Sequence, residues 1–276
     1  MILSNYDLAV AYRVYPKISK APPFPFKNKL ELVELCLKSF KLALGSLKTK
    51  MWVLLDNCPP EYTTLFQNNF PDCDLEIINL SGIGNLPTFQ KQIEILSSQK
   101  ASEVVYFAED DYLYVPNQID RLVKFLKKNP DCFVTPYDHF NYYHFDLYQH
   151  KNSIQLFENR HFRTGFSTCL TFLTNQQTLR KTRKIFESYV KGNHDASVWF
   201  CLTKPPILNP FQFIWHPIRN SFWLPIIAKA WRYCFFQVLM GRRWCLWVPI
   251  PAVATHLDQA FIAPAVDWKM ILNTLK

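Results

Sequence analysis

Short apolar runs alternate with amphipathic segments through the first half of the chain. The runs at 8–16, 51–56, 74–80 and 103–108 have the length of buried strands. Between them the apolar residues recur at helical spacing, most clearly in the segment 30–44. Strands that alternate with helices in this way predict an α/β fold with a mainly parallel central sheet and helices on both faces.

The pattern is less regular in the second half. We predict a strand at 132–135, a hairpin within 153–166, a further strand at 168–173, and helices at 176–190 and 194–202. No internal repeat and no low-complexity linker interrupts the chain. We therefore expect one domain over residues 1–276.

The composition narrows the class of protein. Apolar residues make up 49% of the chain and aromatic residues 16%, which excludes general disorder. The eight cysteines are scattered and include no C-x-x-C pair, so neither a zinc site nor a redox dithiol is indicated. The first residues have no cationic start and no apolar run of useful length, which favours a cytoplasmic protein.

The net charge of +9 is unevenly distributed. From Cys201 to Leu257 there is no Asp or Glu, and this stretch contains the cations and tryptophans Lys204, Arg219, Lys229, Arg232, Arg242, Arg243, Trp215, Trp223, Trp231, Trp244 and Trp247. Trp and Arg suit the surface of an anionic membrane, and no window here is apolar for long enough to span one. The alternative is an ordinary aromatic core whose charges face solvent.

The residues with the clearest chemistry are Glu109, Asp110 and Asp111, at the end of the fourth predicted strand. Adjacent carboxylates repel one another unless a cation compensates them, and a divalent ion is the simplest cation to do so. Carboxylate oxygens suit Mg²⁺ or Mn²⁺, which neutralises a diphosphate leaving group. If the segment is extended, Glu109 and Asp111 point to one side and Asp110 to the other. The alternative is a solvated turn or a strand cap.

The segment YFAEDDYLYVPNQI resembles the strand and acidic metal motif of the GT-A glycosyltransferases, with Glu109-Asp110-Asp111 in place of Asp-x-Asp. The resemblance covers roughly residues 8–200 and extends more loosely to the inverting bacterial family 2. It implies a GT-A-like (Rossmann-like) fold with an aromatic, basic C-terminal elaboration. Residues up to about 135 would form the nucleotide-sugar-binding half, and residues from about 136 to 276 the acceptor side.

The resemblance also implies roles for individual residues. Asp111 would be a direct metal ligand, Glu109 would assist directly or through water, and His256 would be a third ligand. Asp110 joins the residues assigned to cofactor binding, with Arg13, Tyr15 and Asp56. Asp56 would bind the nucleobase or ribose, although a helix N-cap is an equal alternative, and His256 is also compatible with an ordinary core position.

Asp195, in Gly192-Asn193-His194-Asp195, resembles the family's acidic residue at the start of a helix beside the acceptor. It is our candidate for the general base, although His194 stands where the family has a second acid, and a simple helix cap is the alternative.

The expected activity is metal-dependent, inverting transfer of a hexose-like sugar from a nucleotide-sugar, with UDP-sugar favoured. The acceptor would be a glycan or a lipid-linked molecule, in bacterial polysaccharide or glycoconjugate synthesis.

Three other functions explain part of the sequence. A non-catalytic carbohydrate- or nucleic-acid-binding protein would use the basic aromatic stretch, although we expect no nucleic-acid partner. A nucleotidyltransferase shares the sheet pattern but would need a glycine-rich loop for a triphosphate, and none is evident near the N-terminus. A dinucleotide-binding oxidoreductase would need G-x-G-x-x-G after the first strand, where prolines and lysines stand instead.

Overall fold

The computed structural model describes residues 5–18, 21–148, 150–208 and 223–275. The first part of the chain forms β1 (Leu8–Val14), α1 (Lys29–Leu44), β2 (Thr49–Asp56), α2 (Pro60–Asn69), β3 (Asp74–Leu80), α3 (Asn85–Ser98), β4 (Val104–Glu109), β5 (Tyr112–Tyr114), α4 (Ile119–Lys128) and β6 (Cys132–Val134). The second part forms α5 (Asn141–His144), β7 (Ile154–Phe157), β8 (Arg160–Gly165), β9 (Phe172–Asn175), α6 (Gln176–Val190), α7 (Asp195–Thr203), α8 (Pro205–Leu208), α9 (Trp223–Leu239), β10 (Cys245–Ile250), β11 (Ala254–His256) and α10 (Trp268–Leu275).

Nine of these strands form one sheet in the order β3-β2-β1-β4-β9-β6-β10-β8-β7. Strands β1 to β4 are mutually parallel, and within the described sheet only β8 and β9 run against the other seven strands. The remaining strands, β5 and β11, form a separate antiparallel pair. The prediction of an α/β fold with a mainly parallel central sheet is confirmed.

Helices cover both faces of the sheet, so its strands are buried on both sides. In β1, Leu8, Val10 and Tyr12 belong to the core under α1, whereas Ala9 and Ala11 belong to the core under α3. This division follows from the two-residue period of a strand. It also explains why the strands are continuous apolar runs in the sequence, without polar alternation. Packing on two faces holds the strand ends rigidly.

Two predicted boundaries differ from the structure for local reasons. The sequence predicts a helix over 88–99, but α3 begins three residues earlier, at Asn85, because Gly84 at φ 86° and ψ 176° turns the chain directly into the helix. The strand predicted at 168–173 is β9, at Phe172–Asn175. Residues 167–170 form an irregular segment in which the hydroxyl groups of Thr168 and Thr135 are hydrogen-bonded to each other. The segment is largely buried, so its apolar residues reflect burial of a loop and not the presence of a strand.

The basic, acid-free stretch forms α8, α9 and β10 where the structure describes it. Trp223 and Trp244 are buried in the core, while Trp215 and Arg219 lie outside the described residues. Among the helices that the structure describes, none combines the length and apolarity needed to cross a bilayer.

Candidate functional site

A cavity of about 810 Å³ opens at the carboxyl ends of β1, β2 and β4. Every residue that the sequence assigned to a site lines this cavity, namely Arg13, Tyr15, Asp56, Glu109, Asp110, Asp111, Asp195 and His256. Those that end or follow β1, β2 and β4 come together because the carboxyl ends of parallel strands meet at one edge of a sheet, where ligands bind in open α/β folds. Asp195 at the start of α7 and His256 on β11 are brought to the same cavity by tertiary packing. The individual roles given to them stay predictions.

Glu109 ends β4 and is held on both carboxylate oxygens. Arg13, at the end of the neighbouring strand β1, forms an ion pair with one oxygen, and the Thr171 hydroxyl donates to the other at 2.7 Å. Arg13 also donates to Asn85, the first residue of α3, and the Asn85 amide donates to the Tyr189 hydroxyl at 3.0 Å. One polar network thus links β4, β1, α3 and α6 along the cavity wall.

Asp110 is buried and lies between two donors. The Lys29 ammonium lies 2.9 Å from one oxygen, and the Tyr15 backbone N–H donates to the other at 2.8 Å. Burial raises the pKa of Asp110, and Lys29 opposes that rise. Tyr15 is 44% exposed and lines the cavity. Its backbone N–H thus holds the Asp110 carboxylate, while its ring is accessible to a ligand.

Asp111 pairs with His256, whose Nε2 lies 3.0 Å from Asp111 Oδ2. Burial alone would raise the pKa of Asp111, but the charge and hydrogen bond of His256 outweigh it and hold that pKa below its usual value. The pKa of His256 is raised in turn, because Asp111 outweighs the effect of burial there. His256 lies on β11 and pairs with Tyr112 of β5, the residue that follows Asp111.

The three acids therefore differ from the arrangement expected of an extended strand. Strand β4 stops at Glu109, and Asp110 and Asp111 form a turn, so the alternation of side chains ends there and all three carboxylates line the cavity. Each acid has its own basic partner, and these partners offset their mutual repulsion. Compensation by a metal ion is consequently not required for the trio to be stable.

The donor set for a divalent ion centres on Asp111. Its Oδ1 is enclosed and has no hydrogen-bond partner among the described residues, and a cation would satisfy this oxygen. His256 lies beside it, whereas both oxygens of Glu109 are already engaged. Among the described residues no group of three His, Cys, Asp or Glu side chains is arranged to hold a metal alone. Asp111 and His256 fit an ion whose other ligands are water and phosphate oxygens, as Mg²⁺ and Mn²⁺ prefer.

Asp56 orders the loop that precedes α3. One carboxylate oxygen accepts the Ile83 N–H and the other the Gly84 N–H, each at 2.8 Å, and the side chain is almost fully buried. It does not cap α2, whose N-cap is Pro59 and has no side-chain cap. Asp56 lines the cavity, and its predicted contact with a nucleoside stays a prediction.

Asp195 is the first residue of α7 and lines the same cavity. Its carboxylate lies 2.7 Å from His194 Nδ1 and accepts the Ala196 N–H at 2.6 Å. Burial would raise the pKa of Asp195, but the His194 contact and the Ala196 N–H outweigh it and lower that pKa. The carboxylate is thus ionised near neutral pH, partly exposed and available to accept a proton from a ligand.

Several residues of the cavity were not predicted from the sequence. The wall near Asp195 is aromatic and consists of His139, Tyr142, Tyr148, Trp223 and Phe261. Burial lowers the pKa of His139 to about 4, so this ring is neutral at physiological pH. The aromatic segment at 137–148 carried a compositional signal for such a wall. No local pattern assigned a role to Lys29, Asn85 or Thr171, because each is a common residue type whose contact partner in the site is distant in the sequence.

No protein-family model matches the chain, and no curated protein matches it by sequence. Solved structures with similar folds include S. aureus TarS 1-349, at 9% identity and TM-score 0.46, where the match covers 82% of this chain and 72% of TarS 1-349. A second structure of TarS 1-349, in complex with UDP, matches at 10% identity and TM-score 0.43 over 66% of this chain.

The glycosyltransferase GlyE in Streptococcus pneumoniae TIGR4 matches at 14% identity and TM-score 0.40, over 96% of this chain and 62% of GlyE. A cytidylyltransferase from Leptospira borgpetersenii matches at 10% identity and TM-score 0.35, over 64% of this chain and 63% of that one. The match spans 33% of the longer TarS chain and 54% of the UDP-bound one.

The fold assignment rests on the sheet of this chain. Four parallel strands in the order β3-β2-β1-β4 bring an acidic cluster to the end of β4, and the reversed strand β9 follows between β4 and β6. The chain has a GT-A-like α/β fold.

Proposed function

We propose that this chain is a glycosyltransferase that moves a sugar from a nucleotide-sugar, with UDP-sugar favoured, to a glycan or lipid-linked acceptor. The observation that carries the proposal is the cavity at the carboxyl ends of the strands, which is lined both by the cationic and acidic residues around Arg13 and by the ionised carboxylate of Asp195. A two-substrate transfer needs such an arrangement, because donor and acceptor must meet in one enclosed volume.

The donor would occupy the side formed by β1, β4 and the start of α3. Arg13 is fixed by Glu109 and Asn85, so its charge is positioned before a ligand arrives. Gly84 leaves open space where a side chain would begin, and the backbone at the N-terminus of α3 is accessible to a phosphate oxygen. These features support binding of a nucleoside diphosphate.

We further propose that donor binding depends on Mn²⁺ or Mg²⁺. Asp111 and His256 would hold the ion, with phosphate oxygens of the donor completing its coordination. Such an ion neutralises the charge that develops on a diphosphate leaving group. Glu109 would act mainly by holding Arg13 in place, since both of its oxygens are occupied.

On the acceptor side, Asp195 would accept the proton of the attacking hydroxyl. His194 and the Ala196 N–H orient its carboxylate and keep it ionised. The aromatic wall beside it suits the apolar face of a sugar ring. Attack on the sugar from the face opposite the leaving diphosphate would invert the anomeric centre, and this is the outcome that we propose.

Thermal stabilisation by a panel of nucleotide-sugars tests donor binding. We expect a UDP-sugar to raise the Tm with Mn²⁺ present and to lose this effect with chelator, because a ligand at about 100 times its Kd stabilises the native state by about 2.7 kcal/mol. Asp111→Asn should abolish the metal-dependent shift. Asp120→Asn, at the exposed start of α4, is the matched control and should retain it. An Asp111→Asn protein that binds UDP with Mn²⁺ as tightly as the parent would refute the metal assignment.

Turnover is tested separately with Asp195→Asn. This variant should keep the nucleotide-induced Tm shift and lose activity by roughly 100-fold or more, the usual effect of removing a general base. Donor hydrolysis serves as the readout, since it needs no knowledge of the acceptor. Binding without any turnover in the parent would favour a non-catalytic protein. Formation of a nucleotide-sugar from a nucleoside triphosphate and a sugar phosphate would favour a nucleotidyltransferase.

A further inference from the structure

Helix α9 has a buried face and an exposed face that are both apolar. The buried face, with Ile226, Ile227, Ala230 and Val238, packs into the core. Large apolar side chains are exposed near its start and after the kink at Cys234, with exposed fractions of 56% for Leu224, 49% for Phe235, 72% for Phe236 and 56% for Leu239. Met240, directly after the helix, is 70% exposed. Side chains of this size are rarely grouped on the surface of a protein without a partner.

The same face is cationic. Lys229 and Arg232 lie one turn apart on α9, and Arg243 follows the helix at an exposed position. None of the three forms an ion pair with a described residue, and the sequence from Cys201 to Leu257 contains no acid. Arg232 lies over the Tyr233 ring, 5.6 Å from its centroid. Of the other cations in this stretch that the structure describes, Arg242 pairs with Asp131 and Lys204 donates to the Gly241 carbonyl.

Apolar side chains among unpaired cations match the chemistry of an anionic bilayer, whose headgroups attract the cations while its acyl region receives the apolar groups. A second copy of the chain fits poorly. A twofold contact through this face would bring Lys229, Arg232 and Arg243 against their own equivalents, with no acid to offset them. We propose that the exposed face of α9 docks on an anionic lipid bilayer, with Phe236 and Met240 as its deepest contacts.

The position of α9 gives this docking a consequence for the cavity. Trp223 and Ile226, in the first turn of the helix, line the cavity near Asp195. A docked α9 therefore holds the acceptor side of the cavity beside the lipid headgroups, where the hydroxyl of a lipid-linked acceptor lies. This consequence rests on the proposed function, whereas the docking itself does not.

Vesicle flotation of the full chain, without donor or acceptor, tests the docking independently of any activity. The vesicles are phosphatidylcholine with and without phosphatidylglycerol. We expect the parent to float with the anionic vesicles, much less with the neutral ones, and less as salt rises. The variant F236S/M240S should bind at least tenfold more weakly. The variant K229Q/R232Q/R243Q should bind anionic vesicles roughly a hundredfold more weakly, at about fivefold per cation.

The matched control is I154S/L156S, which removes two exposed apolar side chains from the edge strand β7, where their exposed fractions are 70% and 63%. It should float like the parent. A parent that does not float with anionic vesicles at low salt overturns the proposal, as does equal loss of binding in I154S/L156S. A dimer that F236S/M240S dissociates, in a protein that does not float, would assign the face to a second copy and also overturn it.

Discussion

At the scale of single residues, Lys29 is the cation that stabilises the buried carboxylate of Asp110. Both side chains are about 90% buried and lie 2.9 Å apart, and the Tyr15 N–H completes the contacts of the carboxylate. Isolated buried charges are costly, so each member of this pair depends on the other. Lys29 lies 81 residues from Asp110 in sequence, at the start of α1, and joins that helix to the acidic turn after β4.

Replacing Lys29 by Met should destabilise the fold strongly. The change leaves the Asp110 carboxylate buried without its cation, and we expect the free energy of unfolding to fall by about 3 kcal/mol, measured in urea. The double variant K29M/D110N should recover most of this loss. Lys38→Met, on the same helix in an exposed pair with Glu34, should cost under about 0.5 kcal/mol. A K29M protein as stable as the parent would show that the pair contributes nothing.

The sequence identified the residues of the site better than the contacts between them. Asp111, Asp195 and His256 stand in short segments that resemble family motifs, and the structure brings all three to one cavity. The Arg13–Glu109 pair follows from the register of β1 beside β4, which no local pattern specifies. The electrostatic environment that stabilises these acids depends on contacts between segments that are distant in the sequence.

At the scale of secondary-structure elements, the start of α3 depends on its loop. The backbone of Gly84 has φ 86° and ψ 176°, a conformation that is essentially limited to glycine, and Asp56 holds its N–H. A side chain at this position would meet no atom within 4 Å, so the glycine is needed for its backbone conformation and not for space. The loop in turn positions Asn85 against Arg13.

Gly84→Ala should therefore destabilise the protein through backbone strain alone. We expect the free energy of unfolding to fall by about 2 kcal/mol, with faster amide hydrogen exchange confined to residues 82–88. Ser81→Ala, at an exposed position of the same loop, is the control and should change stability by less than about 0.5 kcal/mol. Unchanged exchange in the loop of Gly84→Ala would contradict a role for this conformation in ordering α3.

Elements with a strong local period were predictable, and those defined by distant partners were not. The strands β1 to β4 and the helices between them follow from apolar runs and helical spacing. Strand β9 has only four residues, and the apolar pattern predicts it at 168–173, mostly before its actual position at Phe172–Asn175, which is set by its pairing with β4 and β6. Helix α9 exposes large apolar side chains as well as burying them, so its place at the surface is not evident from its apolar residues alone.

At the scale of the whole molecule, the two halves of the chain share one sheet. Strand β9, from the second half, lies between β4 and β6 of the first half, and β10 lies between β6 and β8. The rings of Phe107 on β4 and Phe172 on β9 stack with centroids 4.6 Å apart. The aromatic core on this face is therefore made by both halves together, even though the alternating pattern of strands and helices ends near residue 136.

A fragment of residues 1–135 should consequently fail to fold by itself. Without β9, strands β4 and β6 lose the strand that joins them, and Phe107 and Phe133 lose the rings of Phe172 and Phe186 that cover them. We expect non-cooperative urea unfolding and poorly dispersed amide NMR signals, whereas the full chain, as control, should unfold in one transition. A fragment with a sigmoidal transition of its own would instead establish the first half as a separate domain, and the single-domain prediction for residues 1–276 would be wrong.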